Sequence, residues 1–421
     1  MRAACLGERP LEIIGHGGKR AIGQIMAVEG GLDVSALNAV RCYEPNELII
    51  TVEAAAPLSD VISLIDSKRQ QFAFEPMDFA ALLGKSRGKS GGGKSGGGTV
   101  GGMIAAGFAG PRRVVAGGVR DHLLGAQAVS GFGESFKTGG KVVKNVTGYD
   151  LCKLLAGSWG TLAVMTEVTL KVMPQPEHQR SLLLRGLDEE AANRAMTVAL
   201  GSPFAVSAAA HVPAAVQVLA AASNTAFAAV CAQGQGLTLL RLEGTELSVS
   251  HRLASLGAAL DIAGSPESVA DELSASLWRG VRDVVPFAAA GAHGAWPVWR
   301  ILCAPAIGSA IGLDVVRLTG GVVFYDWGGA LIWAAVPPGS VDAHAAVLRG
   351  ALERFGAHAT LIRATIEERA HVDVFPPLNA ALAALNERVR ISFDPKSILN
   401  RGRLSRGAGP PGAGPDQGAV P

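Results

Sequence analysis

Short apolar stretches alternate with glycine-rich turns along the N-terminal part of the chain. Residues 11–14 (LEII) lead into GHGGK at 15–19, which predicts a strand followed by a glycine turn. Residues 48–53 (LIITVE) predict a second strand. Residues 57–68 predict a helix, because proline suits its first turn and apolar side chains recur at helical spacing. Clean alternation within 161–172 (TLAVMTEVTLKV) predicts another strand. Together these elements indicate an α+β unit.

Low-complexity sequence fills residues 84–98 (GKSRGKSGGGKSGGG), which we interpret as a flexible loop. Within it, 88–95 fits the P-loop pattern GxxxxGK[ST] and 91–96 fits the dinucleotide pattern GxGxxG. A phosphate-binding loop of either type needs a hydrophobic strand before it and a helix after it. Lysine, serine and glycine repeats precede both matches instead. We therefore interpret both as by-products of low complexity.

Alanine-rich sequence after Pro174 and Pro176 predicts a second unit over residues 176–390. Its helical stretches lie near 186–200, 266–279, 340–355 and 377–390. Strand-like stretches lie between them, at 237–242, 298–303, 321–325 and 330–336. This alternation indicates an α+β domain with an antiparallel sheet. A closing segment, 391–404, precedes a Gly/Pro-rich tail at 405–421 that we expect to be disordered.

Composition and charge narrow the class of protein. The 421 residues exceed the size at which one hydrophobic core usually stops growing, so we expect two domains. A net charge of +2 gives no reason to expect nucleic acid or an anionic membrane as a partner. No apolar run is long enough to span a bilayer, and the N-terminus lacks a signal-peptide core, so we expect a cytoplasmic chain. The five scattered cysteines form no CxxC pair, and we expect neither a metal nor an iron–sulfur cluster in this chain.

Two glycine-rich places are candidates for chemistry. The turn at 15–19 directly follows a strand, and its unobstructed backbone N–H groups can form a concavity that binds an anion such as a pyrophosphate. The turn at 99–102 (TVGG) opens a helix of small residues, and its glycines allow a flat ring close to the backbone. Taken singly, each is equally well explained as an ordinary tight turn.

The order of motifs along the chain carries more information than any one of them. The succession is GHGGK at 15–19, FEP at 74–76, TVGG at 99–102, RD at 120–121, KNVTGYDL at 144–151, GSWGTL at 157–162 and TEVTL at 166–170. Further motifs are WR at 299–300, YDWGG at 325–329 and DPKSILNRGRL at 394–404. This succession resembles the vanillyl-alcohol oxidase and p-cresol methylhydroxylase family of flavoproteins. Within that family it looks most like the FAD-binding subunits of multi-subunit glycolate oxidases, over roughly residues 10–404.

The resemblance implies an α+β fold with an FAD-binding domain of two subdomains at 1–175, a cap domain at 176–390 and a return of 391–404 to the FAD domain. The positions that match the family's FAD-binding residues are Gly15, His16, Gly17, Gly18, Lys19, Pro76, Thr99, Val100, Gly101, Gly102, Gly148, Ala163, Val164, Asn400 and Arg403. It places the first glycine loop at the pyrophosphate and the TVGG turn at the flavin and ribityl chain. A turn or packing role stays open for each residue.

Three departures from the family pattern stand out. His16 occupies a position where glycine is usual. Some relatives bind flavin covalently through a loop histidine, but His16 lies earlier than theirs, so we expect non-covalent FAD. The insert at 84–98 lengthens the loop before TVGG, and Arg401 replaces a common proline.

An absent motif bears on which subunit is the catalyst. Related catalytic subunits carry a His-x-Gly-Asp-Gly-Asn type cluster that is suited to metal binding and proton abstraction. None of the nine histidines here lies in such a cluster. The resemblance then implies that a sister flavin subunit oxidises glycolate to glyoxylate, while this chain relays electrons from its own FAD toward an iron–sulfur subunit. Through these partners the chain could dock peripherally at the inner membrane.

Two alternatives stay open. The first is a self-sufficient flavin oxidase of a small 2-hydroxy acid. It needs an arginine for the substrate carboxylate, for which Arg300 and Arg363 are candidates, and a base, for which His293 is the candidate. The second is a flavin-free scaffold that retains the fold for subunit assembly.

Overall fold

The computed structural model describes residues 1–84, 98–140, 149–231, 234–261 and 267–405. Its strands are β1 Leu11–Ile14, β2 Gly30–Asp33, β3 Val40–Glu44, β4 Ile49–Glu53, β5 Gln70–Gln71, β6 Leu123–Ser130, β7 Ser135–Gly139, β8 Ala163–Lys171, β9 Met173–Pro174, β10 His178–Arg185, β11 Ala208–Val212, β12 Leu237–Gly244, β13 Ser268–Ala270, β14 Val298–Leu302, β15 Val322–Asp326, β16 Leu331–Ala335 and β17 His358–Arg363. Its helices are α1 Arg2–Leu6, α2 Leu58–Asp66, α3 Val100–Ala106, α4 Arg113–Ala116, α5 Val119–His122, α6 Cys152–Leu155, α7 Glu189–Gly201, α8 Ala214–Ser223, α9 Thr225–Val230, α10 Glu246–Ala259, α11 Asp271–Arg282, α12 Gly308–Thr319, α13 Ala345–Glu353, α14 Ile366–His371 and α15 Ala380–Phe393.

A five-stranded antiparallel sheet organises the N-terminal region, which we define as residues 1–175. Its strand order is β3-β4-β8-β6-β7. The alternation that predicts β8 has a direct cause, because Val168 and Leu170 are fully buried and pair with Val52 and Ile50 of β4. The predicted strands at 11–14, 48–53 and 161–172 and the helix at 57–68 are thereby confirmed, with small shifts at their ends.

An eight-stranded antiparallel sheet follows, in the order β13-β10-β12-β11-β15-β16-β14-β17. The side chains on its two faces pack into two different hydrophobic cores. Phe324 and Trp333 pack into the large core that includes the N-terminal region, whereas Ile301 and Ile332 pack into a second core on the opposite face. Side chains alternate between the faces of a strand, so Arg300 of β14, which pairs with Trp333, faces the N-terminal region.

The closing segment runs back to the beginning of the chain. Leu399 forms a parallel bridge with Leu11 of β1, and the Leu11 N–H donates to the Ile398 carbonyl at 2.7 Å. The Asp394 carboxylate stabilises this turn by accepting from the N–H groups of Ile398 and Leu399, at 3.1 and 2.8 Å. The end of the described chain therefore lies beside the first glycine loop.

The α+β class with antiparallel sheets is confirmed, whereas the domain limits at 175 and 390 stay a prediction. Four strands of the larger sheet, β10, β11, β13 and β17, were not predicted, and β13 lies within the stretch 266–279 that was predicted to be helical. Ala208–Val212 (AAAHV) has a composition typical of helix, yet all five residues are buried within the sheet. His178–Arg185 carries three consecutive leucines and so lacks alternation. Strands that are buried on both faces lose the period-two signal, which explains why β10 and β11 were missed.

Several sequence features lie outside the described residues. They are both low-complexity motif matches, most of the 84–98 insert, Gly148 and the tail from residue 406. In the part of the chain that the structure describes, no helix combines the length and apolarity needed to cross a membrane.

Candidate functional site

A cleft with a cavity volume of about 130 Å³ opens where β1, the start of α3, the start of β8 and the closing segment meet. Its lining includes twelve of the residues predicted from the sequence, which are Gly15, His16, Gly17, Gly18, Lys19, Thr99, Gly101, Gly102, Ala163, Val164, Asn400 and Arg403. We name this space the glycine cleft.

The first glycine loop lies directly against the second, and an added side chain at Gly15 would crowd Thr99. A Cβ atom on Gly15 would lie 3.0 Å from Cγ2 of Thr99, and one on Gly18 would lie 3.6 Å from the Gly98 Cα. Gly17 also has a φ of +66°, which glycine adopts without the steric cost that other residues incur. At its glycines the loop therefore presents backbone to the cleft, flanked by His16 and Lys19.

The second glycine loop is fixed by the Thr99 side chain. Thr99 is the N-cap of α3, and its Oγ1 accepts a hydrogen bond from the Gly102 N–H at 3.1 Å. A Cβ atom on Gly101 would lie 2.8 Å from the Ala54 carbonyl oxygen, so this turn packs directly on the chain after β4. The Val100 side chain is fully buried in the large core and does not line the cleft.

Asn400 joins three segments at the floor of the cleft. Its Oδ1 accepts from the Ile13 N–H at 2.8 Å, and its Nδ2 donates to the Trp159 carbonyl at 2.7 Å. Gly160 has a φ of +70°, and a Cβ atom there would lie 2.7 Å from Asn400 Nδ2. The asparagine thus occupies space that the turn at 157–162 leaves open.

Arg403 holds the first glycine loop from outside. Its guanidinium donates to the carbonyls of Lys19 and Arg20, at 3.3 and 3.4 Å, and lies over the Trp159 ring at 5.6 Å. Burial lowers the pKa of Arg403 to about 10, with Glu12 opposing that effect. The arginine therefore orders the loop and leaves positive charge close to the cleft.

Three of the predicted residues lie elsewhere or are not described. Pro76 does not line the glycine cleft; it lines a second cavity with Glu75, Arg112 and Arg241. Val100 contributes its backbone N–H to the Ala56 carbonyl instead of a side chain to the cleft. Gly148 lies outside the described residues.

Glu12 is a cleft residue that the sequence did not single out. Glu12 lies in β1 and is buried at the cleft. Its Oε1 accepts a hydrogen bond from Arg20 Nε at 2.7 Å. A lone glutamate within LEII is ordinarily a solvent-facing position, so no signal in the sequence marks it. His16, by contrast, is exposed at the rim of the cleft.

A buried ion network joins the N-terminal region to the eight-stranded sheet. It consists of Glu75 and Arg112 from the N-terminal region and Arg241 and Glu243 from β12. Arg112 donates to Glu243 through Nε and Nη2, at 3.1 and 2.5 Å. Burial opposes ionisation of Glu243, but Arg241 and Arg112 outweigh it and lower the pKa of this carboxyl to about 2. The network therefore stays charged at neutral pH.

The candidate substrate arginines differ sharply in their contacts. Arg363 donates to the carbonyls of Trp296, Leu82, Phe287 and His293, at distances from 2.5 to 3.0 Å. Its donors are therefore committed to backbone, and Arg363 is unsuited to hold a substrate carboxylate. The guanidinium of Arg300 has no hydrogen bond or ion pair within the described residues and lies over the rings of Phe108 and Trp327.

The remaining candidate, His293, packs its ring against Trp296 with the ring centroids 3.9 Å apart. Burial and the neighbouring Arg363 lower the pKa of His293, which favours the neutral imidazole. A neutral imidazole is the form that a general base requires. Among the described residues, no contact connects this ring with the glycine cleft, so its role as a base stays a hypothesis.

Known structures define the class of fold. No family model matches the sequence. The structure of p-cresol methylhydroxylase with substrate bound has a TM-score of 0.68 at 14% identity, and the match covers 95% of this chain and 85% of that one. The chain therefore has the fold of the p-cresol methylhydroxylase-type flavoproteins.

Relatives in sequence make the comparison more specific. The chain is 29% identical to glycolate oxidase subunit GlcE of Escherichia coli, over 94% of this chain and 92% of that protein. It is 30% identical to glycolate oxidase subunit GlcD of Bacillus subtilis, but that match covers only 42% of this chain and 35% of that protein. Sequence and fold together confirm the resemblance to the flavoprotein oxidoreductases that the order of motifs indicated.

Proposed function

We propose that the chain is the FAD-binding subunit of a glycolate oxidase and holds one FAD, non-covalently, in the glycine cleft. The observation that carries this proposal is the convergence of both glycine loops, the start of β8, Asn400 and Arg403 on one cleft. These segments are far apart in the sequence, and each matches a motif of the flavoprotein family. The similarity to GlcE over nearly the whole chain supports the assignment to a glycolate oxidase.

The cleft suits a flat ring linked to a pyrophosphate. The backbone of Gly15, Gly17 and Gly18 lines the cleft, and N–H groups of such a loop can donate to phosphate oxygens. Lys19 and Arg403 add positive charge next to that loop. The buried Ala163 and Val164 offer small apolar surfaces farther along the cleft. FAD, when bound, supplies the two-electron redox chemistry that these side chains lack.

The subunit assignment implies two partners. We propose that a sister flavin subunit oxidises the 2-hydroxy acid and that an iron–sulfur subunit accepts electrons from this chain. The similarity to a protein named as one subunit of glycolate oxidase, and the partial similarity to another named subunit, support an assembly of several chains. Mixing the purified chains and measuring glycolate-dependent dye reduction tests this: activity that needs all three is expected.

An absorbance spectrum of the purified chain tests the cofactor. We expect flavin bands that acid precipitation releases into the supernatant and that glycolate does not bleach in the native chain. Flavin that stays with the precipitate would contradict non-covalent binding, and His16→Ala would then show whether His16 carries the bond. A folded chain without flavin, even after incubation with FAD, would overturn the proposal in favour of the scaffold.

One observation favours a second candidate, a flavin oxidase that works without partners. Arg300 is the one of the two candidate substrate arginines whose guanidinium is not committed to backbone. Bleaching of the flavin by glycolate in the isolated chain would establish this candidate and remove the need for a catalytic sister subunit.

A further inference from the structure

Glu12 brings a buried carboxylate to the glycine cleft. Its side chain is only 8% exposed, although it lies within the apolar run LEII of β1. Both carboxylate oxygens accept from Arg20, Oε1 from Nε at 2.7 Å and Oε2 from Nη2. Among the described residues, no other group donates to this carboxylate. Since an ionised carboxylate has about four acceptor sites, about two of them stay unused beside the cleft.

A comparison with Glu53 of β4 shows what Glu12 lacks. The two glutamates are equally buried, and each pairs with an arginine that is more than half exposed, Arg20 for Glu12 and Arg41 for Glu53. Glu53 Oε2 also accepts from the Ala39 N–H at 2.7 Å, and Glu53 does not line the glycine cleft. A carboxylate withdrawn from water needs such donors, because an exposed arginine compensates its burial only in part. The donor that Glu12 lacks is one that a ligand in the cleft can supply.

The charges around the cleft indicate which kind of ligand group Glu12 can bind. Glu12 is the one acidic side chain among the described residues that line the cleft, whereas Lys19, Arg20 and Arg403 carry positive charge there. Those cations and the N–H groups of the first glycine loop attract phosphate, which a carboxylate repels. Glu12 therefore requires a neutral hydrogen-bond donor, and hydroxyl groups are such donors.

The position of Glu12 relates it to the first glycine loop. Glu12 precedes this loop in β1 and Arg20 directly follows Lys19, so their ion pair connects the chain on the two sides of the loop. Arg403, which donates to the carbonyls of Lys19 and Arg20, lies on the same side. Burial lowers the pKa of Arg403 and Glu12 opposes that effect, so the two side chains are near each other. Hydroxyl groups that reach Glu12 therefore belong to a part of the ligand next to the phosphates.

We propose that Glu12 binds neighbouring hydroxyl groups of a phosphate-linked sugar and thereby makes the glycine cleft selective for such a cofactor. The inference rests on the proposed function for the identity of the cofactor, because FAD carries these hydroxyl groups on its ribose and on its ribityl chain, on either side of the pyrophosphate. Acidic residues accept from ribose hydroxyl groups in the same way in dinucleotide-binding folds. Arg20 holds the carboxylate in place from the solvent side.

Calorimetric titration of the flavin-free, full-length chain with FAD, FMN, ADP and 2′,3′-dideoxy-ADP tests the inference. If Glu12 binds the ribose, the unaltered chain should bind ADP at least about tenfold more tightly than dideoxy-ADP, since hydrogen bonds to a charged acceptor are lost. Glu12→Gln should then bind ADP and dideoxy-ADP almost equally. If Glu12 binds the ribityl chain, Glu12→Gln should weaken FMN by at least about tenfold and leave ADP unchanged. Glu53→Gln alters an equally buried glutamate outside the cleft and is the matched control, which should bind all four ligands like the unaltered chain.

Three outcomes would overturn the inference. Equal affinities of Glu12→Gln and the unaltered chain for FAD, FMN and ADP would overturn it and leave the proposed function standing. A uniform loss that includes dideoxy-ADP, and that Arg20→Gln reproduces, would show that the Glu12–Arg20 pair only shapes the loop. A folded, unaltered chain that binds none of the four ligands would overturn this inference and the proposed function together. Thermal melting checks that each variant folds; if Glu12→Gln does not, Glu12→Asp replaces it, and unchanged affinities in that variant count against the inference.

Discussion

Glu75 and Arg241 form a two-pronged ion pair between the N-terminal region and the eight-stranded sheet. Arg241 donates from Nη1 and Nη2 to the two carboxylate oxygens of Glu75, at 2.7 and 3.1 Å. Arg241 is almost fully buried, and the Arg112 N–H also donates to Glu75 Oε2 at 2.6 Å. Because both partners are withdrawn from water, loss of either leaves a buried charge uncompensated.

Replacement of Glu75 by glutamine should destabilise the chain by about 3–5 kcal/mol, the usual cost of breaking a buried pair. Urea denaturation of the flavin-free protein, followed by tryptophan fluorescence, measures the change in free energy of unfolding. Glu272→Gln removes the exposed partner of Arg279 and is the matched control, for which we expect less than about 1 kcal/mol. Equal losses in the two variants would show that the buried ion network does not hold the two regions together.

Gly101→Ala should disrupt the second glycine loop. The new Cβ would lie 2.8 Å from the Ala54 carbonyl oxygen and 2.9 Å from the Ala54 Cβ, so the turn must shift away from the chain after β4. We expect at least about tenfold weaker FAD binding and a lower melting temperature, measured by flavin titration and thermal melting.

Gly350→Ala is the control for this glycine series. Gly350 lies in α13, and nothing lies within 4 Å of a Cβ built there. The substitution should leave FAD binding unchanged and raise stability by up to about 1 kcal/mol through helix propensity. A loss of FAD in both variants would mean that flavin content reports overall stability rather than the geometry of the loop.

The contrast between these residues explains what the sequence could predict. The glycine turns at 15–19 and 99–102 are local features next to a strand and a helix, and the structure brings them into one cleft. The Glu75–Arg241 pair joins residues that are 166 positions apart, so no local sequence pattern predicts this ion pair. Likewise, the candidates Arg300 and Arg363 look alike in sequence. Only the tertiary contacts show that the Arg363 guanidinium donates to backbone carbonyls and that the Arg300 guanidinium does not.

The closing segment gives a third prediction. Asn400→Ala removes the acceptor of the Ile13 N–H and the donor to the Trp159 carbonyl. Leaving both backbone groups without partners should cost about 2–4 kcal/mol and weaken FAD binding, because β1 and the turn at 157–162 both line the cleft. Asn38→Ala, at an exposed asparagine, is the control and should change stability by less than about 0.5 kcal/mol. Unchanged flavin affinity in Asn400→Ala would remove this residue from the proposed site.

The buried carboxyl of Asp326 predicts a dependence of stability on pH. Burial raises its pKa from an ordinary 3.8 to about 7, so between these values the folded chain binds a proton that the unfolded chain releases. The contribution to stability is therefore fully present below about pH 4 and is lost as the pH rises through about 7. Asp326→Asn cannot titrate, so its stability relative to the unaltered chain should increase between pH 4 and pH 8, by no more than about 4 kcal/mol.

Asp314 provides a control of opposite sign for that experiment. The hydrogen bond from Arg317, and then the charge of Arg354, lower the pKa of the Asp314 carboxyl. Its contribution to stability is present above the ordinary pKa and is lost as the pH falls below about 4. Asp314→Asn should therefore differ from the unaltered chain mainly at neutral pH and converge with it in acid, whereas Asp326→Asn should diverge toward alkaline pH. Thermal melting of the three proteins from pH 2 to pH 8 measures both effects. Parallel curves for Asp326→Asn and the unaltered chain between pH 4 and pH 8 would show that Asp326 ionises normally in the fold.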